Sequence, residues 1–204
     1  MVNFAKMIEE TEANGYAVRD EYKSNTLEEL KEITKSDRLP FSVFLFNVTG
    51  SLNVGTMIRT AHALGAEKVF VFGRRKYDKR SCVGSHNYLP IISIDSDAEN
   101  PEEQYDQFQS IMDSYHLDPI LIETGGRNYT EYNWKMIHGV SQHIGRQVCL
   151  VVGNEGLEIP KIIRECYFPD VVSIPQRGVI RTINVASAFS IVCAHMVNEI
   201  TKEY

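Results

Sequence analysis

Short, almost wholly apolar segments of strand length recur along this chain, separated by stretches of helical periodicity. The first, Phe41-Ser42-Val43-Phe44-Leu45-Phe46-Asn47-Val48, follows Pro40. Lys68-Val69-Phe70-Val71-Phe72, Pro90-Ile91-Ile92-Ser93-Ile94, Pro119-Ile120-Leu121-Ile122, Gln147-Val148-Cys149-Leu150-Val151-Val152 and Val171-Val172-Ser173-Ile174 have the same character. A strand apolar at consecutive rather than alternate positions needs cover on both faces, which is the situation of a parallel sheet. The intervening helical periods supply that cover. The chain therefore reads as α/β, a mainly parallel sheet flanked by helices.

The helices are legible from their caps and stripes. Ser24-Asn25-Thr26 caps a helix running through Lys35, with Glu28 and Glu29 in its first turn. Asn53 is placed to cap a second helix to about Leu64, where Val54, Met57, Ile58, Ala61 and Leu64 keep helical spacing and Gly65 closes it. A third spans about Pro101–Tyr115. The chain closes on Val185, Ala188, Phe189, Val192, Cys193, Met196, Val197 and Ile200, a core-facing stripe. Residues 1–38 read as a polar helical extension and residues 39–204 as one domain, within the size of a single core.

Composition narrows the function classes. Hydrophobic residues make up 43% of the chain, enough for a substantial core. The first residues carry Glu9, Glu10 and Glu12 and lack a signal peptide's basic start, and the longest apolar runs are too short to cross a bilayer. A soluble, cytoplasmic protein with no membrane partner is expected. Cys82, Cys149, Cys166 and Cys193 form no C-x-x-C pair and have no histidine at zinc spacing, so free thiols and no metal are expected. The net charge of −6 weighs against nucleic acid until it is localised. Asp95, Asp97, Glu99, Glu102, Glu103 and Asp106 account for all of it. Against them stands a basic segment, Arg74, Arg75, Lys76, Lys79 and Arg80, interrupted only by Tyr77 and Asp78. That loop is a candidate RNA-binding surface, or a solvated one.

In open α/β sheets ligands sit beyond the carboxyl ends of the strands. Neither G-x-G-x-x-G nor G-x-x-x-x-G-K-[ST] nor G-x-S-x-G occurs, so dinucleotide binding by the usual turn, NTP hydrolysis and serine hydrolysis lose support. Three segments at strand ends remain. Asn47-Val48-Thr49-Gly50-Ser51-Leu52-Asn53-Val54-Gly55 leads into a helix bearing Arg59, a fixed cation two turns in. Gly153-Asn154-Glu155-Gly156-Leu157-Glu158 brings a carboxylate to the end of an apolar strand. Ile174-Pro175-Gln176-Arg177-Gly178-Val179-Ile180-Arg181-Thr182-Ile183-Asn184 runs from a strand into the last helix. Each alone reads equally well as a capped helix or an ordinary turn.

In order and spacing these segments resemble the three signature motifs of the SpoU/TrmH family of RNA ribose methyltransferases. The resemblance runs from about Phe41 to Met196 and includes Ser81-Cys82-Val83-Gly84-Ser85 with Leu89-Pro90. Ile174-Pro175-Gln176 with Gly178-Val179-Ile180-Arg181 is most similar to the tRNA guanosine-18 2′-O-methyltransferases. Two positions depart from the pattern: Thr182-Ile183-Asn184 replaces Ser-Leu-Asn, and Glu158 stands at a usual glycine.

The resemblance implies a C-terminal trefoil knot, a homodimer, and S-adenosyl-L-methionine as methyl donor, leaving as S-adenosyl-L-homocysteine. It implies donor contacts at Thr124, Gly153, Ile174, Ile183 and Asn184, and a catalytic Arg59 with Asn53 and Glu155 shaping the site. Arg74, Arg75, Lys76, Lys79, Arg80 and Arg181 are the expected RNA contacts. The implied substrate is a ribose 2′-hydroxyl of a tRNA guanosine, the alternatives being large-subunit rRNA or a catalytically silent RNA-binding relative. No histidine or cysteine lies in the three motifs, so a conventional base is missing. Arg59 is expected either as that base or as a cation stabilising a developing alkoxide, the easier role for a group of pKa above about 12. His62 and His86 are read as structural or surface residues.

Overall fold

The computed structural model describes residues 18–73, 76–154, 156, 158–180 and 182–202. Its described strands form one six-stranded sheet in the order β3-β2-β1-β5-β4-β6: β1 Phe41–Phe46, β2 Lys68–Phe72, β3 Ile91–Ile94, β4 Leu117–Asn128, β5 Gln147–Val152 and β6 Val171–Ser173. Every neighbouring pair is parallel, so all the carboxyl ends emerge along one edge. The described helices are α1 Leu27–Ser36, α2 Ser51–Ala63, α3 Pro101–Ser114, α4 Trp134–His143, α5 Lys161–Cys166 and α6 Val185–Thr201.

All six residues of the central β1 are buried. Successive side chains point to opposite faces of a strand, and the two cores divide accordingly. Phe41, Val43 and Leu45 join Met57 and Ile58 of α2 and Phe189 and Val192 of α6 on one face. Phe44 and Phe46 join Phe70, Phe72 and Phe108 with Ile163 of α5 on the other. There Phe108 of α3 meets the Phe44 ring edge-on at a centroid distance of 5.1 Å. At about 25 cal/mol per Å2 of apolar surface, large aromatics buried on both faces are what fix the helices to the sheet.

The structure moves several expected boundaries. Thr26 caps α1 through a capping box with Glu29, as its sequence signals. By contrast, α2 begins at Ser51 with Gly50 as its N-cap, so Asn53 lies inside the first turn and is not a cap. Extended backbone at Gly50 starts the helix earlier, and the Asn53 side chain is engaged elsewhere. The strand expected over Pro119–Ile122 extends from Leu117 to Asn128. Its pairing to β6 begins only at Leu121, so Pro119, which has no N–H to donate, occupies a stretch paired on one side by β5. Helices α4 and α5 were not expected from the sequence. Asn133 caps α4 by accepting from Met136 N.

Candidate active site

Three loops after β1, β5 and β6, and a bulge in β4, meet along the carboxyl edge. The start of α2 and the start of α6 are joined directly: Asn184 Nδ2 donates to Asn53 Oδ1 at 3.0 Å. Asn184 Oδ1 meanwhile accepts from Ala186 N and Ser187 N, capping α6. Further along, the hydroxyls of Thr60 and Ser190 lie 3.1 Å apart. The two helices therefore run side by side in the same direction, and the first and third motifs form one surface.

The second motif is tied to the first by Asn154, whose Nδ2 donates to the Asn47 carbonyl at 2.6 Å. Asn47 has the positive φ of 54° and its N–H bonds to the Phe72 carbonyl. Asparagine is among the few non-glycine residues that adopt this conformation readily. A Cβ on Gly73 would lie 2.4 Å from Asn47 Oδ1, so the loops after β1, β2 and β5 are locked around one residue. A cavity of about 240 Å3 opens there, lined by Asn47, Thr49, Gly73, Asp97, Glu99 and Asn154.

In β4 the register with β6 jumps from Ile122 opposite Val172 to Arg127 opposite Val172, which pushes Glu123–Gly126 out of the ladder. Such bulges redirect backbone at functional rims. Thr124 is exposed in this bulge. Ser173 Oγ donates to the Gly126 carbonyl at 2.7 Å and Ile159 N to Glu123 Oε2 at 3.4 Å, joining the bulge to β6 and to the loop after β5. Added Cβ atoms would meet the Val171 carbonyl at 2.4 Å from Gly126 and Ile159 Cγ1 at 2.8 Å from Gly153. Both glycines permit close backbone packing on the strands that carry the expected donor-binding loops.

Arg59 is exposed on α2, and its positive charge bears on the buried Cys82 thiol, whose pKa burial pushes up. Cys82 belongs to a short 3₁₀ helix, Lys79–Cys82, laid against α2 at Gly55. There a Cβ would lie 2.1 Å from Ser81 Oγ and 2.5 Å from the Ser81 carbonyl carbon. Asp78 N donates to Ser51 Oγ, fixing the basic segment to the same helix. Lys76, Lys79 and Arg80 are exposed, but Arg80 is held by a bidentate pair with Asp78, at 2.6 Å for Nη2 to Oδ2. His62, one turn beyond Arg59, stacks on Tyr88 at 5.7 Å, and burial lowers its pKa. Ile174 is half-buried, and Ile183 and Asn184 are exposed at the start of α6. Glu155, Arg74, Arg75 and Arg181 lie outside the described residues.

Sequence reasoning overlooked Ser81, Asn154 and Glu123 as organisers of the edge. Gly55 opposite Ser81 was visible, but Ser81, Asn154 and Glu123 each find their partners in segments distant in sequence. The SpoU rRNA Methylase family profile matches residues 40–194. Among curated proteins, the chain is 24% identical over 176 residues to the Haemophilus ducreyi 23S rRNA (guanosine-2′-O-)-methyltransferase RlmB, covering 84% of this chain and 65% of that protein. The Escherichia coli K12 RlmB is 28% identical, with coverage of 84% and 64%. The chain thus spans less than two thirds of the length of these relatives. Among solved structures, the A. aeolicus TrmH/SpoU tRNA modifying enzyme superposes with a TM-score of 0.62 at 22% identity, covering 85% of this chain and 81% of that one. An AdoMet-bound rRNA methyltransferase from Sinorhizobium meliloti gives 0.62 at 23%, with coverage of 85% and 61%. The fold is shared with these structures, and by its profile match over residues 40–194 the chain belongs to the SpoU rRNA methylase family.

Proposed function

We propose that this chain transfers the methyl group of S-adenosyl-L-methionine to a ribose 2′-hydroxyl of RNA. The observation that carries the reading is the Asn53–Asn184 bond, which sets the helix bearing Arg59 against the loop expected to hold the donor. Gly126 and Gly153 let the β4 bulge and the loop after β5 pack close on Val171 and Ile159, since a Cβ at either would collide with them. The donor's sulfonium supplies an electrophilic methyl. Gly153, Ile174 and Ile183, with the Thr124 bulge, would hold the donor and turn that methyl towards α2. Alignment of a hydroxyl with it is worth up to about 7–11 kcal/mol.

In this reading Arg59 holds an RNA phosphate beside the reacting ribose and stabilises the oxygen as its proton passes to water. Asn53 fixes the first turn of α2, and Glu155 is assigned to the site by its motif position alone. Residues 39–204 form the transferase unit, with the C-terminal segment threaded as a trefoil knot. A homodimer fits the exposure of Leu52 at 78%, Val179 at 101% and Ile180 at 74%, large apolar side chains on or beside the paired helices.

A tRNA guanosine is the substrate favoured by the segment Ile174–Arg181. A guanosine in large-subunit rRNA is the second reading, favoured by the names of the curated relatives. Incubation with labelled donor and separate unmodified tRNA and rRNA pools, followed by mapping of alkali-resistant dinucleotides, tests both. Donor binding without transfer to either pool would sink the enzymatic reading.

A further inference from the structure

A second cavity, of about 450 Å3, lies between α1 and the segment that follows β2, within the range of ligand-binding clefts. Its walls carry Lys31, Lys35 and Arg38 from the extension and Lys79 from the 3₁₀ helix against α2. Among the described residues Glu32 is the single carboxylate lining it, with Oε2 3.6 Å from Lys35 Nζ. Helix α1 as a whole holds three glutamates and two lysines, so its composition gives no hint of this. The fold sorts the charges: Lys31 and Lys35, one turn apart, share the cavity face, while Glu28 and Glu29 occupy the first turn.

The cavity is built as well as charged. Arg38 Nη2 donates to the Tyr88 carbonyl at 2.8 Å, pinning the end of the extension to the cavity floor. A guanidinium has five N–H donors, so this bond leaves capacity for an anion. Tyr77 packs against the core, and Tyr88 stacks on His62, which follows Arg59 by one turn on α2. The rings of Tyr77 and Tyr88 line the same space. The cavity thus abuts the helix of the candidate active site, and its cations come from two segments that only folding brings together.

We propose that this cleft is the track for the RNA strand flanking the reactive nucleotide, with Lys31, Lys35, Arg38 and Lys79 on its phosphates and a tyrosine ring available to a base. The assignment rests on the RNA-methylating reading and gives the extension a role within it. Phosphate contacts make affinity fall with salt, by about 0.7–0.9 in the logarithmic slope per contact.

The test uses the full chain, an unmodified tRNA transcript and a large-subunit rRNA fragment of matched length. Their dissociation constants are measured against salt for the wild type, for Lys31→Ala/Lys35→Ala and for Lys31→Arg/Lys35→Arg. Both lysines are exposed, so neither replacement disturbs the core. The alanine pair should weaken binding of the substrate RNA about tenfold near 0.1 M salt and flatten the slope by about 1.5. The arginine pair should restore both, while donor affinity and the rate at saturating RNA stay at wild-type values. Unchanged affinity and slope in the alanine pair would overturn the cleft, as would a wild type that binds neither RNA. Methyl transfer by the wild type with no effect of the alanine pair removes the cleft but keeps the enzyme. Cleft-dependent binding without transfer does the reverse.

Discussion

Asn184 and Asn53, 131 residues apart, share a side-chain hydrogen bond at 3.0 Å, and the same Asn184 caps α6 through two backbone N–H groups. One residue therefore starts the last helix and fastens it to the helix that carries Arg59. Replacement by alanine removes both functions. Loss of such a cap costs about 1–2 kcal/mol, or roughly 2–8 °C in Tm for a chain of this size. A thermal melt of Asn184→Ala that matches the wild type would show that the link is dispensable.

Gly55→Ala reverses the usual helix rule. Alanine normally stabilises a helix by up to about 1 kcal/mol over glycine. Here the new Cβ would enter the space of Ser81, with the Ser81 backbone as well as its hydroxyl in the way. Overpacking of this kind costs about 1–3 kcal/mol. Urea denaturation should give a lower midpoint, and displacement of the Lys79–Cys82 turn should reduce methyl transfer at the neighbouring site.

Arg59 is exposed, so its removal should leave stability intact. In Arg59→Ala the loss of a cation at a developing oxyanion should lower kcat by about 10²–10³. Arg59→Lys keeps the charge without the planar fork and should recover only part of the rate. Transfer assays alongside donor titrations separate this from lost binding. A lysine enzyme at the wild-type rate would count against any need for the guanidinium.

The acid side of the stability profile should carry a histidine component. Burial, with the nearby positive charge of Arg38, lowers the His62 pKa from its ordinary value of 6.5, and burial lowers that of His138. Each binds its proton more weakly in the folded chain than in the unfolded one. Their contribution is complete above pH 6.5 and is lost as pH falls below it, towards the depressed folded values. Melts from pH 7.5 to 5 should fall through this window, and more shallowly in His62→Gln. Identical slopes in the two proteins would assign the fall elsewhere.

The four cysteines should separate sharply by reactivity. Cys149 and Cys193 are fully buried with thiol pKa values raised by burial, and Cys82 is buried with its pKa raised in the same way, whereas Cys166 is exposed. A thiol reagent at pH 8 should label one site quickly in the native protein and all four in denaturant, with peptide mapping placing the fast one at Cys166.

The α/β class, five of the six strands to within a residue or two and the long final helix were legible because each is a local pattern. A strand such as Phe41–Phe46 declares its burial in its own six residues, and Val185–Thr201 its core face in its own stripe. The outer half of β4 was not legible, since Arg127 and Asn128 are held in the sheet by Val172 and Ser173, more than forty residues on. Nor were α4 and α5, whose short segments gain their order from packing on the rest.

The motifs put Asn53, Arg59 and Asn184 into one candidate site, but as separate loops. Tertiary structure decided that Asn53 is a tether rather than a cap, that Gly55 makes room for Ser81, and that two lysines of an acidic-looking helix face a cleft beside Arg38 and Lys79. The physical division is one of range. Hydrophobic periodicity acts between neighbours in sequence and can be read there. Hydrogen bonds, close backbone approach and the summed field of charges act between neighbours in space, and only the folded chain says which residues those are.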